Sequence, residues 1–106
     1  MIDAYVPVMV ETQCKKGAGG MTKLQSKMIR DSHVEALCEA VNKYEVKKLL
    51  LGGNQLGVAG AEAIAAMLRT NRSLTLLYLT ENRIGGAGKK AVREAVEGRE
   101  GFQIEF

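Results

Sequence analysis

Two consecutive segments of the chain repeat the same pattern of apolar residues, asparagine and glycine, and this repetition constrains the fold more than any other feature. Residues 46–69 align with residues 74–97 at an offset of 28 positions. A fixed period of roughly 20–50 residues is typical of repeat architectures, in which each unit buries its apolar side against its neighbour. The coinciding pairs are Leu49/Leu77, Leu51/Leu79, Asn54/Asn82, Gly57/Gly85, Ala59/Ala87, Gly60/Gly88 and Ala63/Ala91.

Each copy predicts a short strand, a turn and a helix. Leu49 and Leu51 are two residues apart, so both face the same side of a strand. Asn54 follows the strand, where its amide can donate to and accept from backbone groups that the turn leaves unpaired. Apolar residues between positions 63 and 68 have helical spacing. Stacked copies would place Asn54 and Asn82 side by side as a structural ladder.

The flanking segments follow the pattern less closely. Tyr5, Val8 and Val10 have the strand spacing of the repeat, and a loop rich in glycine and lysine follows them. Ile104 and Phe106 alternate with polar residues, as in a strand. The chain is therefore predicted to form one domain over residues 1–106. Its parts are a divergent N-terminal strand and loop (1–25), the helix of the first unit (26–45), two repeats (46–73 and 74–101) and a terminal strand (102–106).

The pattern apolar-x-x-Leu-x-Leu-x-x-Asn-x-(Leu/Ile)-Gly-x-x-Gly resembles the leucine-rich repeats of ribonuclease inhibitor, shared by Ran GTPase-activating proteins and the repeat domains of NOD-like receptors. The resemblance is specific over residues 46–97. It implies an α/β fold, namely a short right-handed βα solenoid with about four parallel strands on the concave side and three helices on the convex side. Members of this family hold protein partners on the concave sheet or its edges. No catalytic residue is implied.

Residues between the core leucines are predicted to face the concave side. The middle row of this face, Met9, Leu50 and Tyr78, is apolar in three consecutive units, whereas a solvated strand face is normally polar. An apolar stripe of this kind favours a partner-binding surface. The alternative is that the N-terminal segment or the loop at 15–25 folds over the stripe. The predicted partner-binding residues are Met9, Lys48, Leu50, Leu76, Tyr78 and Thr80.

The predicted strand at 102–106 is followed by no helix and no polar cap. Repeat arrays generally need capped ends, and an open strand pairs readily with another chain. This favours a homo-oligomer, a small structural subunit docked into a larger assembly by its strand edges, or origin as part of a longer repeat array. In the other interpretation, Glu105 and the terminal carboxylate blunt the edge sufficiently.

Enzymatic function is disfavoured. A strand, a glycine-rich turn and a helix are also the layout of a nucleotide site, but a P-loop needs glycine at position 83 and a hydroxyl at position 90. The chain has Arg83 and Lys90 there. His33, the single histidine, has no recognisable partner for acid–base catalysis and is interpreted as a surface or capping residue. A nucleotide-binding α/β enzyme is therefore the less favoured alternative, and no catalytic residue, metal site or cofactor is predicted.

Composition restricts the remaining classes. A net charge of +3 with 5% aromatic residues lacks the dense basic and aromatic face of nucleic-acid binders. No apolar run approaches the ~20 residues that span a bilayer. Cys14 and Cys38 match neither a metal-ligand nor a redox spacing, which favours a reducing compartment. The sequence thus predicts a cytoplasmic, non-enzymatic module that binds a protein partner, without nucleic acid or membrane.

Overall fold

Short strands and helices alternate along the chain. The computed structural model describes the backbone of residues 2–106 and the side chains of residues 4–106. In chain order the elements are α1 (Ile2–Lys16), β1 (Met21–Lys23), a 3₁₀ helix (Asp31–His33), α2 (Val34–Lys43), β2 (Lys48–Leu50), α3 (Val58–Leu68), β3 (Leu76–Tyr78), α4 (Gly85–Ala95) and β4 (Gln103–Glu105).

The four strands form one parallel sheet in chain order. Leu49 is the central residue of the register, paired with Thr22 of β1 on one side and with Leu77 of β3 on the other. Leu77 in turn pairs with Ile104 of β4. Helices α2, α3 and α4 connect successive strands. The predicted α/β solenoid, with four parallel strands and three connecting helices, is therefore confirmed.

The core lies between the sheet and the helices. Thr22, Leu49 and Leu77 are buried at the centres of their strands, so the residues on either side of each one face away from the core. Leu24, Leu51 and Leu79 add a second buried row just beyond the strands. From the helices, the fully or almost fully buried side chains include Leu37, Val41, Ile64, Leu68 and Val92.

Asn54 joins the turn after β2 to the preceding unit. Its Oδ1 accepts hydrogen bonds from the backbone amides of Lys27 and Ile29, both at 3.0 Å. Its Nδ2 donates to the carbonyls of Leu24 and Leu51 at 2.8 and 2.9 Å. Because Asn54 is only 6% exposed, backbone groups that the turn leaves unpaired find their partners inside the protein.

Asn82 has the same arrangement one unit later. Its Oδ1 accepts from the amide of Leu56 at 3.0 Å, and its Nδ2 donates to the carbonyls of Leu51 and Leu79 at 2.9 and 3.1 Å. Both asparagines therefore bond to the carbonyl of Leu51, which links the two repeats at one backbone atom.

The prediction of a strand near residues 5–10 is wrong, because α1 occupies this segment. Val6, Val10 and Cys14 are fully buried at a spacing of four residues, which places them on one face of a helix. Tyr5, Val8 and Val10 also have the strand spacing of the repeat, and for this reason the sequence predicted a strand here. The first strand is instead β1, and residues 1–25 therefore contain α1, a turn and β1 rather than a divergent strand and a loop.

The apolar residues in and around the last strand, β4, are less deeply buried than the core-facing residues of α1. Phe102, Ile104 and Phe106 are only partly buried against the core. The guanidinium of Arg99 lies 4.9 Å from the centre of the Phe102 ring, and that of Arg93 lies 4.9 Å from the centre of the Phe106 ring. Cationic side chains rather than a helix therefore cover the aromatic rings at this end.

Two kinds of feature are absent from the part of the chain that the structure describes. None of the helices between residues 2 and 106 is both long and apolar enough to cross a bilayer. Within the same part of the chain, no three histidine, cysteine or acidic side chains come together in a way that could hold a metal ion.

Candidate functional site

We call the sheet face that points away from the helices the concave face. The strand register sorts its side chains into rows, because parallel partners stand at the same height on adjacent strands. The first row contains Met21, Lys48, Leu76 and Gln103, and the second contains Lys23, Leu50, Tyr78 and Glu105.

The centre of the concave face is apolar. Leu50 of β2 is half-buried beside Tyr78 of β3, which is 38% exposed. Leu76, in the neighbouring row, is 9% exposed and packs more deeply. The structure thus brings together the predicted residues Leu50, Leu76 and Tyr78 as one apolar cluster with an aromatic ring open to solvent.

Charge changes sign from one side of this cluster to the other. Lys23 and Lys48 are exposed on β1 and β2, whereas Glu105 is exposed on β4. The four-strand width separates these groups by roughly 10–14 Å, at about 4.8 Å per strand. A ligand lying across the sheet would therefore meet positive charge, apolar surface and negative charge in sequence.

Thr80 lies just beyond the second row, next to Gly52 in the turn after β2. A Cβ on Gly52 would stand 2.9 Å from Thr80 Oγ1 and 4.0 Å from Gln25 Cγ. Any larger residue at position 52 would therefore displace Thr80. Thr80, predicted as a binding residue, belongs to the rim of the apolar cluster on this side.

Met9 does not lie on the concave face, so the prediction that placed it in the middle row of that face is wrong. It belongs to α1 and is only 9% exposed within the core. The places expected for the first unit are taken by Met21, which is 42% exposed, and by Lys23. Sequence reasoning missed both residues, although Leu24 and Ile29, 27 positions before Leu51 and Leu56, marked the unit.

The N-terminal segment does not cover the apolar cluster. Helix α1 packs against α2 and β1, and residues 17–20 turn directly into β1. Tyr78 keeps its exposure in the presence of both segments. The alternative in which residues 15–25 fold over the stripe is therefore wrong.

The contacts of His33 and the burial of the two cysteines indicate structural roles for these residues. His33 is buried, and its Nδ1 accepts a hydrogen bond from the Arg30 amide at 3.0 Å, which caps the 3₁₀ helix. Burial raises the pKa of the Cys38 thiol to about 11, and the same cause raises that of Cys14 to about 11. Thiols with such pKa values are poor nucleophiles near neutral pH.

The glycines of the second repeat serve packing and turns. A Cβ on Gly88 would approach Ala61 Cβ to 3.0 Å and would clash with Ile84, so glycine lets α4 lie close against α3. Gly85, at φ +71°, adopts the left-handed conformation at the start of α4. These roles account for glycines that also suggested a nucleotide site.

A parallel sheet backed by helices, with one face open, defines a repeat solenoid of the βα class. Within that class, the family model described as Leucine Rich repeat matches residues 46–65 and 70–92. Residues 46–92 therefore carry leucine-rich repeats, and the repeat recognised in the sequence is confirmed. Repeats of this family generally mediate protein–protein interactions and are typically non-enzymatic. A search of curated proteins gives no match to the chain.

Proposed function

We propose that the chain is a non-enzymatic interaction module that binds a segment of a protein partner on the concave face. The observation that carries this proposal is the exposed ring of Tyr78 beside Leu50, in the middle of a face whose charged side chains lie to either side. Tyrosine is a favoured anchor in protein interfaces because it buries a large area at low entropic cost. Lys48, Leu76 and Thr80 would complete the contact around it.

The charges on the concave face define the orientation of the partner. Lys23 and Lys48 favour acidic side chains at the β1 side, whereas Glu105 favours a basic side chain at the β4 side. Apolar side chains between them would rest on Leu50 and Tyr78. We therefore expect a peptide or loop that crosses the strands with its acidic part over β1, and we expect no nucleic acid on this surface.

The experiment compares proteins captured from native lysate by the immobilised chain and by two double variants, using quantitative mass spectrometry. Leu50→Ser with Tyr78→Ser removes the apolar centre, and the proposal predicts loss of the captured partner. Tyr5→Ser with Val8→Ser is the matched control, because both residues are more than 60% exposed on α1. Equal capture by the wild type and the concave-face variant would contradict the proposal.

A second candidate function is a structural subunit docked by its strand edges. It is favoured by Phe102, Ile104 and Phe106, which are only partly buried beside the outer edge of β4. Light scattering after size exclusion tests this candidate, which predicts a mass above that of one 11.5 kDa chain. A monomer at all concentrations would contradict edge docking between copies.

We also propose that the protein belongs to the ribonuclease-inhibitor subclass and acts in the cytoplasm. A helix on the convex side in every repeat supports the subclass. Two free cysteines, of which Cys14 is buried, support a reducing compartment.

A further inference from the structure

A groove runs along the helical side of the molecule, between α2 and α3. Its volume of about 570 Å³ lies within the roughly 300–1,000 Å³ typical of ligand-binding clefts. Cys38 and Asn42 line it from α2, and Ala63, Ala66 and Met67 line it from α3. The groove lies on the opposite side of the sheet from the concave face, so it forms a separate surface.

Small side chains open this groove. Helix α3 packs closely on α4 because Gly88 has no side chain to separate them. Between α2 and α3, in contrast, the lining residues Cys38, Ala63 and Ala66 have short side chains, and a groove is left between the helices. The floor is apolar, since Val34 and Met67 are 1% and 8% exposed.

The charged side chains that line the groove are all carboxylates, although the chain as a whole carries a net charge of +3. Glu35 and Glu39 are exposed and four residues apart on α2, which places them one turn apart on the same side. Asp31 lies at the end of this row and accepts a hydrogen bond from the Gly57 amide at 2.7 Å. The nearest lysine on α2, Lys43, pairs with Glu11 at 3.4 Å instead.

We propose that this groove binds a basic amphipathic helix of a partner protein. Helices α2 and α3 both run back from one strand to the next, so they are parallel, and a third helix can pack its side-chain ridges into the channel between them. The ten residues of α2 extend over about 15 Å, enough to contact roughly three turns. Apolar residues of the partner would cover Cys38 and Ala66, and its Lys or Arg side chains would pair with Glu35 and Glu39.

The test uses fluorescence anisotropy with a labelled model peptide of about 18 residues, or five turns, that carries leucines on one face and lysines on the other. We expect saturable binding. Glu35→Gln with Glu39→Gln should raise the Kd about tenfold, as the summed loss of two partly exposed ion pairs. Glu94→Gln with Glu97→Gln is the matched control, because it changes the net charge equally at exposed positions outside the groove. It should leave the Kd within about twofold.

Two further measurements locate the peptide. Ala66→Arg places a long cationic side chain at an exposed helix position in the groove, so it should abolish binding without unfolding the protein. Cys14 is fully buried and Cys38 only partly, so prolonged alkylation at the pH of the binding experiment should modify Cys38 first, and bound peptide should slow that modification.

Three results would overturn the proposal. The first is the absence of saturable binding by the lysine peptide, and the second is an equal loss of affinity in both glutamate double variants. The third is a dimer, seen by light scattering, that only the Glu35/Glu39 variant abolishes, because a second copy of the chain would then occupy the groove.

Discussion

The two ends of the solenoid differ in how deeply their apolar side chains are buried and in what covers them. At the N-terminal end, α1 inserts Val6, Val10 and Cys14 into the core, and all three are fully buried. At the C-terminal end, Phe102 and Phe106 stay partly exposed beneath cationic side chains.

The difference lies in how far the apolar side chains at each end are removed from water. A helix removes the apolar end of the array from water entirely, which is the usual role of a capping unit. Guanidinium groups stacked on aromatic rings exclude only part of the water, and they leave the edge of β4 available to another strand. Substitutions at the N-terminal end are therefore expected to lower the free energy of unfolding more than substitutions at the C-terminal end.

The largest effect is expected from one charge placed at each end. Val10→Asp would bury a carboxylate among apolar side chains and should lower the free energy of unfolding by about 3–5 kcal/mol, the cost of an uncompensated buried charge. Ile104→Asp, at a half-buried edge position, should cost about 1 kcal/mol because water reaches the new group. Urea titration followed by circular dichroism measures both. Equal losses would show that the two ends are closed equally well.

The two asparagines extend the comparison into the repeats. Asn54→Ala should cost about 2–3 kcal/mol, because the buried amide of Ile29, the part-buried amide of Lys27 and the carbonyl of Leu24 lose this partner. Asn82→Ala should cost about 1–2 kcal/mol, since Asn82 is less buried and accepts from one amide. Thermal unfolding ranks the variants. A larger loss at Asn82 would reverse the expected gradient of stability along the chain.

Arg99 should contribute most of the closure at the C-terminal end. Its guanidinium donates to the carbonyls of Leu68 at 2.9 Å and Leu74 at 2.7 Å, besides stacking on Phe102. Arg99→Ala is expected to cost about 1–2 kcal/mol in the same urea titration. Arg72→Ala is the control, because it removes one long hydrogen bond of 3.4 Å to the Asn71 carbonyl, and it should cost less than about 0.5 kcal/mol.

The smallest effect concerns α4, the helix nearest the C-terminal end. Gly86 has open space around it, so Gly86→Ala should raise the free energy of unfolding by about 0.5–1 kcal/mol by restricting the unfolded chain. Gly88→Ala should have the opposite sign, because the new Cβ would meet Ala61 and Ile84. Melting temperatures that rise for both variants would show that α3 and α4 are packed loosely.

The sequence predicted the central repeats well because each core position there keeps its residue type. Leu49, Leu51 and Asn54 recur 28 residues later as the same residues. The first unit hides the pattern, since Thr22 stands where a leucine is expected and Lys27 stands where an asparagine is expected. Its signal lies in an offset of 27, at which Leu24, Ile29, Leu37 and Val41 precede Leu51, Leu56, Ile64 and Leu68.

The candidate site was predictable in part for the same reason. The register between Leu50 and Tyr78 follows directly from the repeat, whereas Met21 and Lys23 could be placed only once β1 was known. The groove between α2 and α3 was not predictable, because its width depends on how side chains of two different units fit together in three dimensions.

The most direct test of the binding surface replaces Tyr78 by the photocrosslinking residue p-benzoylphenylalanine and irradiates the protein in native lysate. The concave-face account predicts a discrete covalent adduct from position 78 and none from the same replacement at Glu94, an exposed residue of α4. An adduct from position 94 together with none from position 78 would contradict the account.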